Sequence, residues 1–196
     1  MTTLTAPQTA TLPNIALTGA LRSGKSSVSA YLRDKYGYTE FAFGDEMKRF
    51  AHEIFNVPQS PKPRELYQWF GETMRQRDPD VWVRKCFEDI RWYTDNYARD
   101  EYIQQTPPPV VITDLRLPTE YDRCRSEGYV IIRIRAQSAL RIHRAVESAD
   151  TFNLRDLTHE TESHVDKFAV DYEITNDGSL AELYAAVDAI MADLKR

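Results

Sequence analysis

The chain has 196 residues, of which 42% are hydrophobic and 28% charged, and its formal net charge is -5. That is the profile of one globular domain, with a small insert at most, whose core needs no covalent or metal staples. The acidic balance argues against a general nucleic-acid binder, which needs a broad basic surface, and no apolar run approaches the length of a membrane span.

Residues 1–13 lack the basic start and long apolar core of a signal peptide, so they are expected to form a flexible tail before a single domain over 14–196. Asn14 to Thr18 is a short apolar run that reads as a buried strand. Gly19-Ala-Leu-Arg-Ser-Gly-Lys-Ser26 follows, and Ser26 to Arg33 has helical spacing. G-x-x-x-x-G-K-S between a strand and a helix is the context in which this motif binds phosphate. Gly19 and Gly24 tolerate positive φ, so successive N–H groups can turn toward one anion. The helix N-terminus adds partial positive charge. Lys25 is expected at the β- and γ-phosphates and the Ser26 hydroxyl at Mg²⁺, with Arg22, Ser23 and Ser27 completing the nucleotide-binding loop.

Gly37 to Phe43 alternates aromatic residues and suggests a second strand, after which Gly44 to Phe55 switches to helical spacing. Asp45 then stands where a strand end meets a helix start, as an N-cap, a substrate contact or both. Val57 to Pro63 is a proline-rich loop. Helices are expected over Arg64–Arg77 and from Val81 to Trp92 or Tyr97. Most apolar residues there, Leu66, Phe70, Val81, Val83, Phe87 and Ile90, read as core. Trp69, Arg75 and Trp82 would bring flat apolar walls and a guanidinium together, which suits a nucleotide base and its phosphate. Cys86 and Cys124 have no metal-ligand spacing and read as buried free thiols in a reducing compartment.

Val110 to Asp114 is a continuously apolar run ending in a carboxylate, as expected of a central parallel strand. Asp114 at that edge, facing a phosphate loop, would help hold Mg²⁺ or its water shell, and Arg116 lies two residues on. A short helix from Leu117 ends at Gly128, and Tyr129 to Arg135 is the next strand, with Val130, Ile132 and Ile134 set against Arg133 and Arg135. Residues 136–164 are polar and locally basic. Ser138 to Glu147 looks helical, with Arg141 and Arg144 on one face, either as a solvated helix or as a lid over the phosphate loop. Asp171 to Thr175 is a last strand. Ser179 caps a closing helix with Leu180, Leu183, Val187, Ile190 and Leu194 as its apolar stripe.

In this order the motifs resemble the deoxynucleoside monophosphate kinases found especially in tailed bacteriophages, relatives of dephospho-coenzyme A kinase within the P-loop kinases. The resemblance rests on Gly19–Ser26, Phe41–Lys48, Gln68–Arg75 with Asp80-Val-Trp82, Ile112-Thr-Asp-Leu-Arg-Leu-Pro-Thr-Glu120, His159-Glu-Thr-Glu162 and Asp171–Leu180. It covers nearly everything from Asn14 to Ala192. It implies an α/β fold with a five-stranded parallel sheet in the order 2-3-1-4-5, a helical acceptor-binding region over about 44–105 and a lid over about 136–164. It implies transfer of the ATP γ-phosphate to a nucleoside monophosphate, with Mg²⁺, in phage DNA precursor synthesis in the host cytoplasm, by a monomer or homodimer. Asp45, Lys48, Trp69, Arg75, Trp82 and Arg116 would face the acceptor. Lys25, Asp114, Arg116 and the lid residues Arg141 and Arg144 would carry catalysis. Asn176, Asp177 and Gly178 would lie against the adenine of ATP. His159 and Glu162 match a motif whose role the residues do not explain. Two departures are mild, Gly44 where a small residue, often alanine, is usual and Thr161 for serine, and the loop ends in Ser-Ser, which leaves the Ser26 hydroxyl intact.

Three other readings stay open. A hydroxyl kinase, such as dephospho-coenzyme A kinase, would use Asp45 as its base. A nucleotide-dependent switch or ATPase would have no need of an arginine-rich acceptor region. A 5-hydroxymethyluridine DNA kinase is opposed by the acidic surface and short chain. Small-molecule nucleotides, and neither nucleic acid nor membrane, are the expected partners.

Overall fold

A computed structural model describes residues 12–58, 60–99, 106–147 and 164–196. His159, Thr161 and Glu162, and the later part of the expected lid, lie outside the described residues. Five strands form one sheet: β1 (Ile15–Thr18), β2 (Thr39–Phe41), β3 (Val110–Leu115), β4 (Val130–Arg135) and β5 (Tyr172–Thr175). Every pairing is parallel and the order is β2-β3-β1-β4-β5, as the resemblance implied. Among the described residues seven helices connect them: α1 (Lys25–Tyr36), α2 (Phe43–Phe55), α3 (Arg64–Arg77), α4 (Val81–Arg99), α5 (Pro118–Ser126), α6 (Ser138–Glu147) and α7 (Leu180–Asp193).

The strands are apolar because parallel strands are covered on both faces. Ile15, Leu17, Val111, Ile132 and Ile134 pack against Val28 and Leu32 of α1 and Leu183, Val187, Ile190 and Met191 of α7. On the other face, Ala16, Val110, Ile112, Leu115 and Ile131 meet Val83, Cys86, Phe87 and Ile90 of α4 and Cys124 of α5. A smaller cluster, Ala51, Phe70 and Trp82, ties α2, α3 and α4 together. Both cysteines are free and buried, and burial pushes their thiols up. No described helix is long and apolar enough to cross a membrane.

Three sequence expectations change. The second strand is shorter than 37–43, because Phe43 turns inward as the first residue of α2. Leu180 is not part of the α7 stripe; it is exposed, and Met191 takes the buried place. Arg133, expected to point outward, is buried on β4. Its guanidinium donates to the carbonyls of Val165 and Phe168 and pairs with Glu173 on β5 at 3.0 Å. A cation enters the sheet there only because its donors meet fixed acceptors.

Candidate active site

β1 ends in the phosphate loop. Gly19 has φ 140°, Arg22 φ 63° and Gly24 φ 109°, so three residues of the loop occupy positive φ. A Cβ on Gly19 would stand 2.2 Å from the Ile134 carbonyl oxygen, and one on Gly24 would stand 2.2 Å from Asn176 Nδ2. The glycines are therefore required by close approach as well as by backbone angle. The loop folds over its own lysine: Lys25 Nζ donates to the carbonyls of Gly19 (2.5 Å) and Ala20 (3.0 Å). Lys25 is buried and opens α1, while Ser26 beside it is exposed.

Asn176 is buried and braces this loop, donating from Nδ2 to the Ser23 carbonyl at 2.8 Å. Its amide nitrogen is thus engaged within the loop. Asp177 and Gly178 are exposed in the same turn, and Asp177 accepts the Gln137 N–H at 2.8 Å. The two expected lid arginines also meet the loop region. Arg141 donates to the Leu21 carbonyl (3.3 Å) and Arg144 to the Asn176 carbonyl (3.1 Å).

Asp114 sits at the end of β3 and accepts the N–H groups of Phe43 (2.8 Å) and Gly44 (3.1 Å), one on each carboxylate oxygen. It caps α2 from across the sheet, a task the α2 N-cap residue Ala42 cannot perform. Asp45 is consequently not the cap. It lies in the first turn of α2 and pairs with Lys48 at 2.8 Å. A Cβ on Gly44 would stand 3.3 Å from Asp114 Oδ2, so alanine there is tight but nearly accommodated.

A cleft of about 1240 Å³ runs from the phosphate loop past Thr113 and Asp114 to α2 and α3. Nine cationic side chains line it (Arg22, Lys25, Arg33, Lys48, Arg49, Lys62, Arg64, Arg116 and Arg144) against three carboxylates (Glu40, Asp45 and Asp114). Ion pairs temper this excess, since Arg33 pairs with Glu40, Lys48 with Asp45, and Arg49 with Glu46 and Glu53. In a chain of net charge -5 this concentration of positive charge suits a polyanion.

The cleft gathers Arg22, Gly24, Lys25, Ser26, Ser27, Asp45, Lys48, Asp114, Arg116 and Arg144 of the expected residues. Of the expected acceptor residues it leaves out Trp69, Arg75 and Trp82. Trp82 is buried in the α2–α3–α4 cluster with its indole N–H on the Gly71 carbonyl at 3.1 Å, so it has no face to offer a base. Trp69 is 56% exposed and packs edge-on against Phe55. Arg75 pairs with Glu72 at 3.1 Å. In their place the cleft holds residues that sequence reasoning passed over: His52, Lys62, Arg64 and Tyr67.

Glu120 was also missed as an individual residue. It is buried in the first turn of α5 and accepts the N–H groups of Arg116 (2.7 Å) and Leu117 (2.9 Å) on one oxygen, which fixes the backbone that carries Arg116. Proline at the first helical position with glutamate two residues later is a readable helix-start signal. Burial, and then the nearby Asp114 charge, push the Glu120 carboxyl up to about 8. The folded chain therefore holds this proton above the pH at which the unfolded chain releases it, and stability should fall as pH rises from about 5 to 8, on the order of 1 kcal/mol per pH unit. Denaturant titrations of wild type and Glu120→Gln across that range check this. A slope of equal size in both proteins would refute it.

Among the described residues, no three His, Cys, Asp or Glu side chains converge into a ready-made metal cage. Ser26 and Asp114 both line the cleft, and a hydroxyl and a carboxylate are the donor types Mg²⁺ takes when phosphate oxygens and water supply the rest. Each Asp114 oxygen keeps a lone pair beyond its amide bond. The residues fit such an ion.

No family model matches the chain. A protein of Acanthamoeba polyphaga mimivirus named "Putative deoxynucleotide monophosphate kinase" is 28% identical over 143 residues, covering 61% of this chain and 72% of its own. Among solved structures, TT1252 from Thermus thermophilus aligns at TM-score 0.57 and 20% identity, over 94% of this chain and 98% of that one. A gluconokinase from Sinorhizobium meliloti aligns at 0.55 and 17%, over 93% of each chain. A shikimate kinase from Acinetobacter baumannii aligns at 0.51 and 16%, over 93% and 94%. The chain thus has the P-loop kinase fold: five parallel strands in the order β2-β3-β1-β4-β5, with the phosphate loop between β1 and α1.

Proposed function

We propose that this protein transfers the γ-phosphate of ATP to a nucleoside monophosphate, a deoxynucleotide in the first instance. The observation that carries the proposal is the continuity of one cationic cleft from the phosphate loop to α2 and α3. The loop end suits a triphosphate. The α2–α3 end, with Lys48, Lys62 and Arg64, suits a second anion. The likeness to the mimivirus protein agrees with a monophosphate as that anion.

Phosphoryl transfer asks little covalent chemistry of a protein. It asks for in-line positioning and for positive charge around the equatorial oxygens. Lys25, oriented by the Gly19 and Ala20 carbonyls, would turn its ammonium to the β- and γ-phosphates. Arg116 and Arg144 would neutralise charge between donor and acceptor, and Arg141 would hold α6 on the loop. Ser26 and Asp114 would hold Mg²⁺, which, when bound, supplies charge neutralisation at the phosphate oxygens. A monophosphate is already an oxyanion, so no general base is needed. Asp45 is engaged by Lys48, which does not favour it as a base for an alcohol.

ATP-dependent turnover across canonical and modified monophosphates, with dephospho-coenzyme A, gluconate and shikimate as alcohol acceptors, tests the reading. Diphosphate formation from at least one monophosphate is expected. Turnover confined to an alcohol, or acceptor-independent ATP hydrolysis alone, would overturn it. The position of Arg75 outside the cleft gives a sharper expectation. Arg116→Ala should lower kcat/KM by roughly 10- to 100-fold. Arg75→Ala should leave the acceptor KM and kcat within about twofold, since a partly exposed i,i+3 pair carries little energy. A large loss in Arg75→Ala would show that α3 moves into the site.

A further inference from the structure

His52 on α2 and Tyr67 on α3 both line the acceptor end of the cleft, and their rings meet edge-on at 5.6 Å. His52 Nδ1 lies 2.8 Å from the Val57 carbonyl oxygen, in the connector after α2, and His52 Nε2 lies 2.5 Å from Tyr67 Oη. A carbonyl oxygen only accepts, so Nδ1 must carry the ring hydrogen. A neutral imidazole has one N–H. Nε2 is then a bare acceptor, and the Tyr67 O–H must donate to it. The phenol hydrogen is committed inside the protein, and the oxygen keeps only lone pairs. Lys62 and Arg64, which share this end of the cleft, bring donors alone.

We infer that Tyr67 is a specificity-determining residue that presents only a hydrogen-bond acceptor to the phosphate-accepting molecule, with His52 as the positioning residue that sets this polarity. The inference rests on the monophosphate reading above. The molecule selected is one with an N–H or O–H at that position, either the exocyclic amino group of cytosine or adenine or a sugar hydroxyl. A carbonyl in the same place would set lone pair against lone pair and leave two polar groups unsatisfied.

The test uses the full chain at about pH 8. Calorimetric Kd and transfer rate are measured for wild type and Tyr67→Phe with dCMP against dUMP, dAMP against dIMP, and dCMP against its 3′-deoxy analogue. If a base amino group is read, wild type should prefer dCMP over dUMP, or dAMP over dIMP, by roughly five- to tenfold, and Tyr67→Phe should bring the pair within about twofold. If the sugar hydroxyl is read, that collapse should appear in the 3′-deoxy comparison instead. Tyr67→Phe leaving all three ratios unchanged would overturn the inference, even with transfer intact. A Tyr67-dependent binding preference without any transfer would uphold it and sink the kinase reading. Absence of binding of any monophosphate at millimolar concentration would sink both. Long-range ¹H–¹⁵N spectra of wild type give an independent readout: His52 should show the hydrogen on Nδ1, and a hydrogen on Nε2 alone would overturn the inference without any variant.

Discussion

Lys25→Ala should lower phosphoryl transfer by roughly 10²–10³-fold, measured as kcat/KM with ATP and an accepted monophosphate. In the structure the ammonium is buried under the phosphate loop and held by the Gly19 and Ala20 carbonyls. Those carbonyls orient it without neutralising it, so in the proposed transfer its full charge would meet the negative charge that gathers in the transition state. A preorganised cation in a partly desolvated site is worth far more there than in water. Removing it also removes a cross-link of the loop, so thermal unfolding should be followed in parallel. Lys25→Arg keeps the charge but not the compact ammonium that fits between two carbonyls, and it should recover only a small part of the rate. An intact rate in Lys25→Ala would mean that the loop does not handle the transferred phosphate, and the central reading would fail.

Gly19→Ala should be the most damaging single-methyl change in the chain. Two penalties coincide at Gly19: φ of 140°, which L side chains rarely adopt, and a Cβ placed 2.2 Å from the Ile134 carbonyl oxygen. That oxygen belongs to β4, which pairs with β1 through Thr18 and Arg133, so relief would require separating two hydrogen-bonded strands. A loss of about 2–4 kcal/mol of stability, with loss of ATP binding, is expected from denaturant unfolding and nucleotide titration. Gly37→Ala is the control. Its φ is 74°, but nothing lies within 4 Å of the added carbon, and it ends α1 away from the cleft. It should cost about 1 kcal/mol and leave kinetics unchanged. Equal effects of the two substitutions would show that backbone angle, and not the approach of β4, makes the loop glycine necessary.

Much of the architecture was legible because its causes are local. The runs Asn14–Thr18, Val110–Asp114 and Tyr129–Arg135 read as strands and lie within a residue of β1, β3 and β4, and the helices around them read from spacing and caps. α3 lies over Arg64–Arg77 and Ser179 caps α7, as expected. The strand order came from the resemblance and not from any one segment. The phosphate loop between β1 and α1 was equally readable, because G-x-x-x-x-G-K-S dictates its own backbone.

What the sequence by itself determined was therefore the phosphate loop, the parallel sheet and the residues that the chain brings to its edge: Lys25, Ser26, Asp114 and Arg116. The tertiary structure alone decided which face of each helix meets the cleft. Helical spacing shows that Trp82 and Phe70 share a buried side with their neighbours, but not whether that side is core or ligand; the packing of α2, α3 and α4 made it core. Asn176 turned to the loop because Gly24 leaves it room. Asp114 became the cap of α2 because Ala42 has no side-chain acceptor to offer. The His52–Tyr67 pair depends on a loop carbonyl between two helices, and a contact made across fifteen residues leaves no periodic trace in the chain.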